Sequence, residues 1–423
     1  MMLITIGLLS RQTGKSQPPS TAAHPERSPQ DHSPIIVPEP ARPGLIAVTT
    51  SVAEGVESGV KAGQAYYARD HVTFQSGSVS LRFLLGVDVD LVGPVDLELV
   101  SPKRAILHRG QLTADVDPSA HGFTIETPHA DIIDLGTKFG VNVQESGKAD
   151  VVVFEGRVDI NYKHRELQKA KARYDNLKMG EAIHIEGYGK FHRIPMVRST
   201  GSATNWSTKI EDARSRYVST VSDNFPPGSR PIYYSLVAGG FDEDALSYVD
   251  RPYEWNSLPD VPFPEPLRGG DYIRLMNDLK FVMNLEVSIG LKQPADVYVL
   301  MDHRASPPAW LVRSFTKTRL QIGIDEHDPR QIYSWDTVDG PRALGVGPGQ
   351  SVDRAFDIWV RHCETAGNIV LGSLVEPVAS NQKSEPVSSP APVLRAGLSM
   401  YGVVITSFSS SAVDSSPDRA AFR

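Results

Sequence analysis

The segment from Gly122 to Val143, GFTIETPHADIIDLGTKFGVNV, limits the possible folds of this chain more than any other stretch. Phe123 and Ile125 alternate with Thr124 and Glu126, which is the two-residue period of a strand. Pro128 then ends regular pairing, because it has no N–H to give to a ladder. After Asp134, Leu135, Gly136 and Thr137 the alternation resumes, with Phe139, Val141 and Val143 on one face. Asp134 and Thr137 carry short polar side chains that can bond nearby backbone N–H groups, and Gly136 can adopt positive φ. The segment therefore reads as short strands around a tight turn, a structural device rather than a reaction centre.

The same pattern runs through the flanking sequence. Ile46 to Val52, Tyr66 to Val72, Gly77 to Phe83, Val87 to Val92, Val95 to Val100 and Gln111 to Val116 alternate between turn signals about 8–12 residues apart. With 34 glycines and 32 prolines in 423 residues, the chain is turn-rich. A mainly β protein follows, with stacked hairpins in a solenoid-like first domain at about 45–200.

The segment TPHADIIDLGTKFGVNV, followed by VVVFEGRVD at 151–159, resembles the FecR domain. Phe83 to Pro94 and Leu177 to Ile183 are similar to other parts of that domain, so the resemblance covers roughly 70–190. Its motif positions here are Thr127, Pro128, Asp134, Leu135, Gly136, Thr137, Phe139, Phe154 and Gly156, all structural. The resemblance implies an envelope signal-transduction component. Such domains lie outside the inner membrane and regulate an extracytoplasmic-function sigma factor through a transmembrane helix.

Met1 to Leu9 is apolar, but far shorter than the roughly 20 residues of a membrane span. Two readings stand: a disordered start, or the tail of a membrane helix, which the resemblance favours and the basic residues after it disfavour. Residues 10–44 are rich in Pro, Ser, Gln and Arg and read as a disordered linker. Lys163 to Lys178 is a basic, helix-permissive insertion. Residues 201–230 read as a second linker, 231–408 as a second domain and 409–423 as a disordered tail.

The second domain shows many short strands between Pro and Gly turns, the pattern of a β-sandwich. In it Phe281, Met283, Leu285, Val287 and Ile289 alternate with polar residues as one expected strand. Gly270 to Arg274, Val297 to Asp302, Pro308 to Leu311, Ser314 and Phe315, Gly323 to Asp325 and Met400 to Gly402 make it similar to β-sandwich modules of large exported planctomycete proteins. That likeness implies fold and surface setting only.

No catalytic set emerges. There is no nucleophile elbow, HExxH, P-loop or dinucleotide fingerprint in a fitting context. The single cysteine, Cys363, excludes an intrachain disulfide and a cysteine-rich zinc site. Asp302-His303-Arg304 and Glu326-His327-Asp328 are dense in polar groups, but adjacent strand residues face opposite sides, and no metal or cofactor is expected. Asp88/Asp90 and Asp242/Asp244 read as outward polar positions rather than the paired carboxyls of a glycosidase. Trp310, Trp335, Trp359 and Tyr298, with Tyr401, are the candidates for stacking on sugar rings. A formal charge of −7 gives no support for nucleic-acid binding.

The expected function is thus a non-enzymatic envelope protein, periplasmic or cell-surface and membrane-anchored, which transmits a signal by contact with a receptor or sigma regulator. The alternative is a surface carbohydrate-binding or scaffold protein in which the FecR-like domain is structural. A polysaccharide-active enzyme is a third, weaker option, which would need two carboxylates facing each other across a groove.

Overall fold

The computed structural model describes residues 44–53, 56, 59–163, 176–187, 190–199, 206–209, 211, 214–226, 229–326, 352–375 and 397–409. The apolar start, the first linker, most of the basic insertion, Trp335 and the tail from 410 onward lie outside the described residues. Residues 44–423 make one compact unit.

A 14-stranded sheet spans the strands from Leu45–Val52 to Lys190–Arg193. Two long neighbours, Val87–Ser101 and Arg104–Val116, form its spine and pair antiparallel. The expected Gly122–Val143 device is three short strands, Thr124–Glu126, Ala130–Asp134 and Lys138–Val143. Phe123, Ile125, Phe139 and Val141 point into the core, as their alternation requires.

The turns are held by side chains. The hydroxyl of Thr127 donates to the Ala130 carbonyl at 2.8 Å and accepts from the Ala130 N–H at 3.1 Å. Buried Asp134 accepts from the Gly136 N–H at 3.0 Å and from the Thr137 hydroxyl. Gly136 sits at φ +90° and Gly156 at φ +73°; a Cβ on Gly156 would lie 2.1 Å from the Gly136 carbonyl oxygen. Only glycine meets both demands at 156. Pro128 is exposed, and Leu135 is half-buried beside this latch.

The second half is a two-sheet sandwich. A 10-stranded sheet faces a three-stranded one made of Val218–Asp223, Val287–Leu291 and Gly367–Leu371. Their inner faces supply one core that includes Leu236, Ile273, Val287, Ile289 and Phe356.

Two expectations are corrected here. The stretch 201–230 is, where described, part of the packed body and not a linker: Trp206 is 2% exposed and Val218–Asp223 is a full strand partner of Val287–Leu291. Its Ser and Thr content mimicked a linker, yet Ser219, Thr220 and Ser222 alternate with Val218 and Val221 within that strand. The expected strand from Phe281 to Ile289 begins only at Val287. A 3-10 helix, Asn277–Phe281, precedes it, and Asn284 takes φ +58°, which breaks the extended backbone. Phe281 and Met283 are consequently 51% and 58% exposed instead of buried.

The two sheets meet through Trp206. Its indole N–H donates to the Thr113 hydroxyl at 3.2 Å, and its ring packs so close to Gly140 that a Cβ there would lie 2.6 Å away. Phe154 packs edge-on to both Trp206 and Tyr233. Replacing Trp206 with Ala should cost about 3–5 kcal/mol, as large buried aromatics do. Gly156→Ala should cost more than about 2 kcal/mol through strain and backbone clash. Urea unfolding of the two variants checks both values.

Candidate functional site: a cleft at the sheet junction

The chain leaves the first sheet at Arg193 and enters the second at Met196–Ser199, which pairs parallel with Tyr234–Val237. Arg193 is 8% exposed and grips the fully buried Asp223 carboxylate with two hydrogen bonds of 3.1 and 2.6 Å. The Tyr234 hydroxyl donates to the same carboxylate. Arg193 also donates to the Phe225 carbonyl at 3.2 Å, with its guanidinium 5.5 Å from the centre of the Phe225 ring. A buried charge needs such partners, because losing water costs several kcal/mol per ion.

Phe225 thereby becomes one wall of a cleft. Its apolar chamber, of about 200 Å³, is completed by Ile232, Met276, Leu279 and Val282. A cavity of about 150 Å³ holds a benzene ring, so this space is large enough for an aromatic or branched aliphatic side chain. Beyond Arg230, Met276 and Asp278, which line both spaces, the cleft widens into a polar mouth of about 390 Å³. The mouth lies between Arg157 and Lys178 of the first sheet and Asp250 and Arg251 of the second half.

The local sequence explains how the mouth is built. Gly180, at φ +79°, lets Asp250 approach to where a Cβ would stand 3.0 Å from the Asp250 Cβ. Glu181 accepts from the Lys178 N–H at 3.1 Å and from Arg230 Nε at 2.5 Å, so it ties the turn to the segment entering the second half. Asp250 accepts from the N–H groups of Asn277 and Asp278 at 2.6 and 3.2 Å and pairs with Arg251 at 3.1 Å. Arg251 reaches on to Asp278 at 2.6 Å. Arg157 and Lys178 are exposed cross-strand neighbours. Two like charges so placed repel, and an acidic group between them relieves that.

Burial pushes the Asp250 carboxyl above its ordinary range, against the pull of Arg251 and the Asn277 N–H. Burial likewise lowers the Lys280 ammonium, which donates to the Leu398 carbonyl at 2.6 Å. These groups hold loops together.

The aromatic candidates fare differently. Tyr298 is 5% exposed and Trp359 9%, both in the sandwich core, because their strands are covered on both faces. Trp310 is half-buried, its indole N–H donating to the Ser373 carbonyl at 2.9 Å and its ring edge-on to Tyr401. These three rings form no exposed stacking platform, which corrects the sugar-binding expectation for them. Of the polar clusters, Asp302 is chelated by Arg304 and the Ser399 N–H, and His303 bonds to Asp357 at 3.1 Å. Glu326 pairs with Arg354 at 2.6 Å; His327 and Asp328 lie outside the described residues. Asp88 pairs with Arg82, Asp90 accepts from Ser80 at 2.6 Å, and Asp242 pairs with Arg268.

A 14-stranded hairpin sheet locked by a buried Asp–Thr turn and continued into a second β-rich half defines a mainly β protein. Residues 95–159 match the family model described as FecR protein, so this chain carries a FecR domain. No curated protein matches the chain in sequence. Among solved structures it is similar to a candidate anti-sigma factor from Parabacteroides distasonis ATCC 8503, at 20% identity and TM-score 0.24, covering 29% of this chain and 57% of that one. It is also similar to a beta-glucuronidase from glycoside hydrolase family 2, at 11% identity and TM-score 0.28, covering 87% of this chain and 39% of that one. In both cases the chain spans less than two thirds of the length of the matched structure.

Asp250 supplies a pH test. A carboxyl raised on folding contributes stability fully present below its unfolded value and lost as pH rises through the folded one. Asparagine mimics the protonated form, so the destabilisation caused by Asp250→Asn should shrink as pH rises from about 4, the ordinary carboxyl range. Urea midpoints of both proteins across that range check it. At the junction, Arg193→Met should cost about 3–5 kcal/mol by stranding the buried Asp223, read from the same unfolding curves.

Proposed function

We propose that this chain is a non-enzymatic regulatory protein of the cell envelope, acting by protein contact in the control of an extracytoplasmic-function sigma factor. The observation that carries the reading is the FecR match over 95–159, with Asp134, Gly136, Thr137 and Gly156 arranged as a structural latch. The contact site is the junction cleft. Its chamber takes an apolar side chain of the partner, and Arg157 and Lys178 at the mouth take an acidic one. Phe281 and Met283, exposed beside Val282 of the chamber wall, add the apolar rim that such contacts use. The partner is a receptor or sigma regulator in the periplasm or at the cell surface. Among the described residues no helix is long and apolar enough to cross a membrane. The carbohydrate-binding alternative loses its support with the burial of Tyr298 and Trp359.

The test is photo-cross-linking in intact cells from a reactive residue placed at Met283, followed by mass spectrometry. Capture of a receptor or sigma regulator, reduced at least about tenfold by Ile232→Glu or by Arg157→Glu with Lys178→Glu, is the expected result. Recovery of polysaccharide or structural envelope proteins alone would overturn it. Circular dichroism of the variants separates lost contact from lost fold.

A further inference from the structure

On an exposed face of the first sheet, three adjacent antiparallel strands bring four chemistry-bearing side chains together. His71 begins strand His71–Phe74, Asp96 and Glu98 lie on Val87–Ser101, and His108 lies on Arg104–Val116. His71 is the register partner of Glu98. Asp96 pairs with Arg109 and Leu97 with Leu107, so His108 is an extra residue in its strand, a β-bulge. Bulges re-aim a side chain, and this one leaves the His108 ring beside Glu98 and parallel to that of His71, centroids 5.7 Å apart.

The donor atoms converge. His108 Nε2 is 3.1 Å and His71 Nε2 is 3.9 Å from the same oxygen of Glu98. All three ligand atoms lie within 4.8 Å of one another. In a tetrahedral zinc site, with bonds of about 2.0–2.1 Å, ligand atoms stand about 3.3 Å apart. The two measured separations straddle that value, and all three side chains are at least a quarter exposed or nearly so, free to adjust by small rotations. The other nitrogen of His71, Nδ1, is 2.7 Å from Asp96 Oδ1. A carboxylate on that nitrogen takes its proton as a hydrogen bond and leaves the Nε2 lone pair directed at Glu98, the second-shell arrangement of histidine–metal sites. The neighbouring cation, Arg109, is engaged by Glu145 at 3.2 Å.

We propose that His71, Glu98 and His108 bind one divalent transition-metal ion of the zinc class, with Asp96 as the positioning residue for His71. Two imidazoles and one carboxylate select zinc, nickel or copper over magnesium and calcium, which prefer all-oxygen shells. The three ligands leave a fourth position to water. Because each ligand comes from a different strand, the ion clips the three together, and a ligand that binds only the folded state raises its stability.

The experiment is calorimetric titration of the full chain, stripped with chelator, with Zn²⁺ alone at neutral pH. The expected result is an equivalent of Zn²⁺ that raises the unfolding temperature. His71→Ala and His108→Ala should each weaken its binding at least about tenfold, and Asp96→Asn about 10–100-fold. Mg²⁺ should produce no such binding. The metal-free variants should unfold as the parent does, since their side chains stand on the surface. No Zn²⁺ uptake, or uptake that the histidine variants leave unchanged, would overturn the site. Unchanged affinity in Asp96→Asn alone would remove Asp96 from its role.

Discussion

Strand Ala149–Glu155 has no solvent face over Ala149 to Val153, and the packing of the whole described body follows from that. Val151 and Val153 point into the core of the first sheet, while Val152 belongs to the core of the second half. Asp150, also buried, is satisfied by His184 at 2.5 Å and Thr208 at 3.0 Å. A strand covered on both sides must be apolar nearly throughout, which is why the sequence reads Val-Val-Val-Phe there rather than alternating. The two cores share this strand, so neither is complete without the other.

Around that shared strand, polar groups are used where the backbone or charge must be turned. Gly140 makes room for the Trp206 ring, Gly180 makes room for Asp250, and Arg193 neutralises Asp223. The cleft is a by-product of these close approaches. Phe225, tied to Arg193 through its carbonyl, lines the apolar chamber with Met276 and Leu279, and the charged mouth lies where Arg157 and Lys178 of the first sheet meet Asp250 and Arg251 of the second half.

The first sheet was legible in the sequence because its signals are local. Period-two alternation, a proline that stops pairing, and an Asp–x–Gly–Thr turn all act within a few residues. The burial of Phe123, Ile125, Phe139 and Val141 follows from them. The failures are non-local. The alternation of Phe281 with Met283 is a perfect strand pattern, yet Asn284 turns the chain with its positive φ and the Asn224 side chain bonds the carbonyl of Asn284 at 2.7 Å and the N–H of Glu286 at 3.0 Å, 60 or more residues away. Trp206 looked like a linker residue because its seat, Gly140, is remote in sequence. Tyr298 and Trp359 looked like candidates for a platform because aromatic content does not distinguish core from surface. The histidine cluster gave no signal at all: its residues are spread from 71 to 108, and only the bulge at His108 unites them. A histidine out of phase with its strand's pairing is a signal that register, not composition, reveals.

The buried ion pair between Arg193 and Asp223 also bears on motion. It sits where a hinge between the two halves would have to bend, since Arg193 ends the first sheet and Asp223 ends a strand of the sandwich. Opening there would strip two charges of their partners at once, while Trp206 would have to withdraw from its glycine seat. Separating the two halves there therefore carries the cost of both losses at once, which sets the junction against hinge motion.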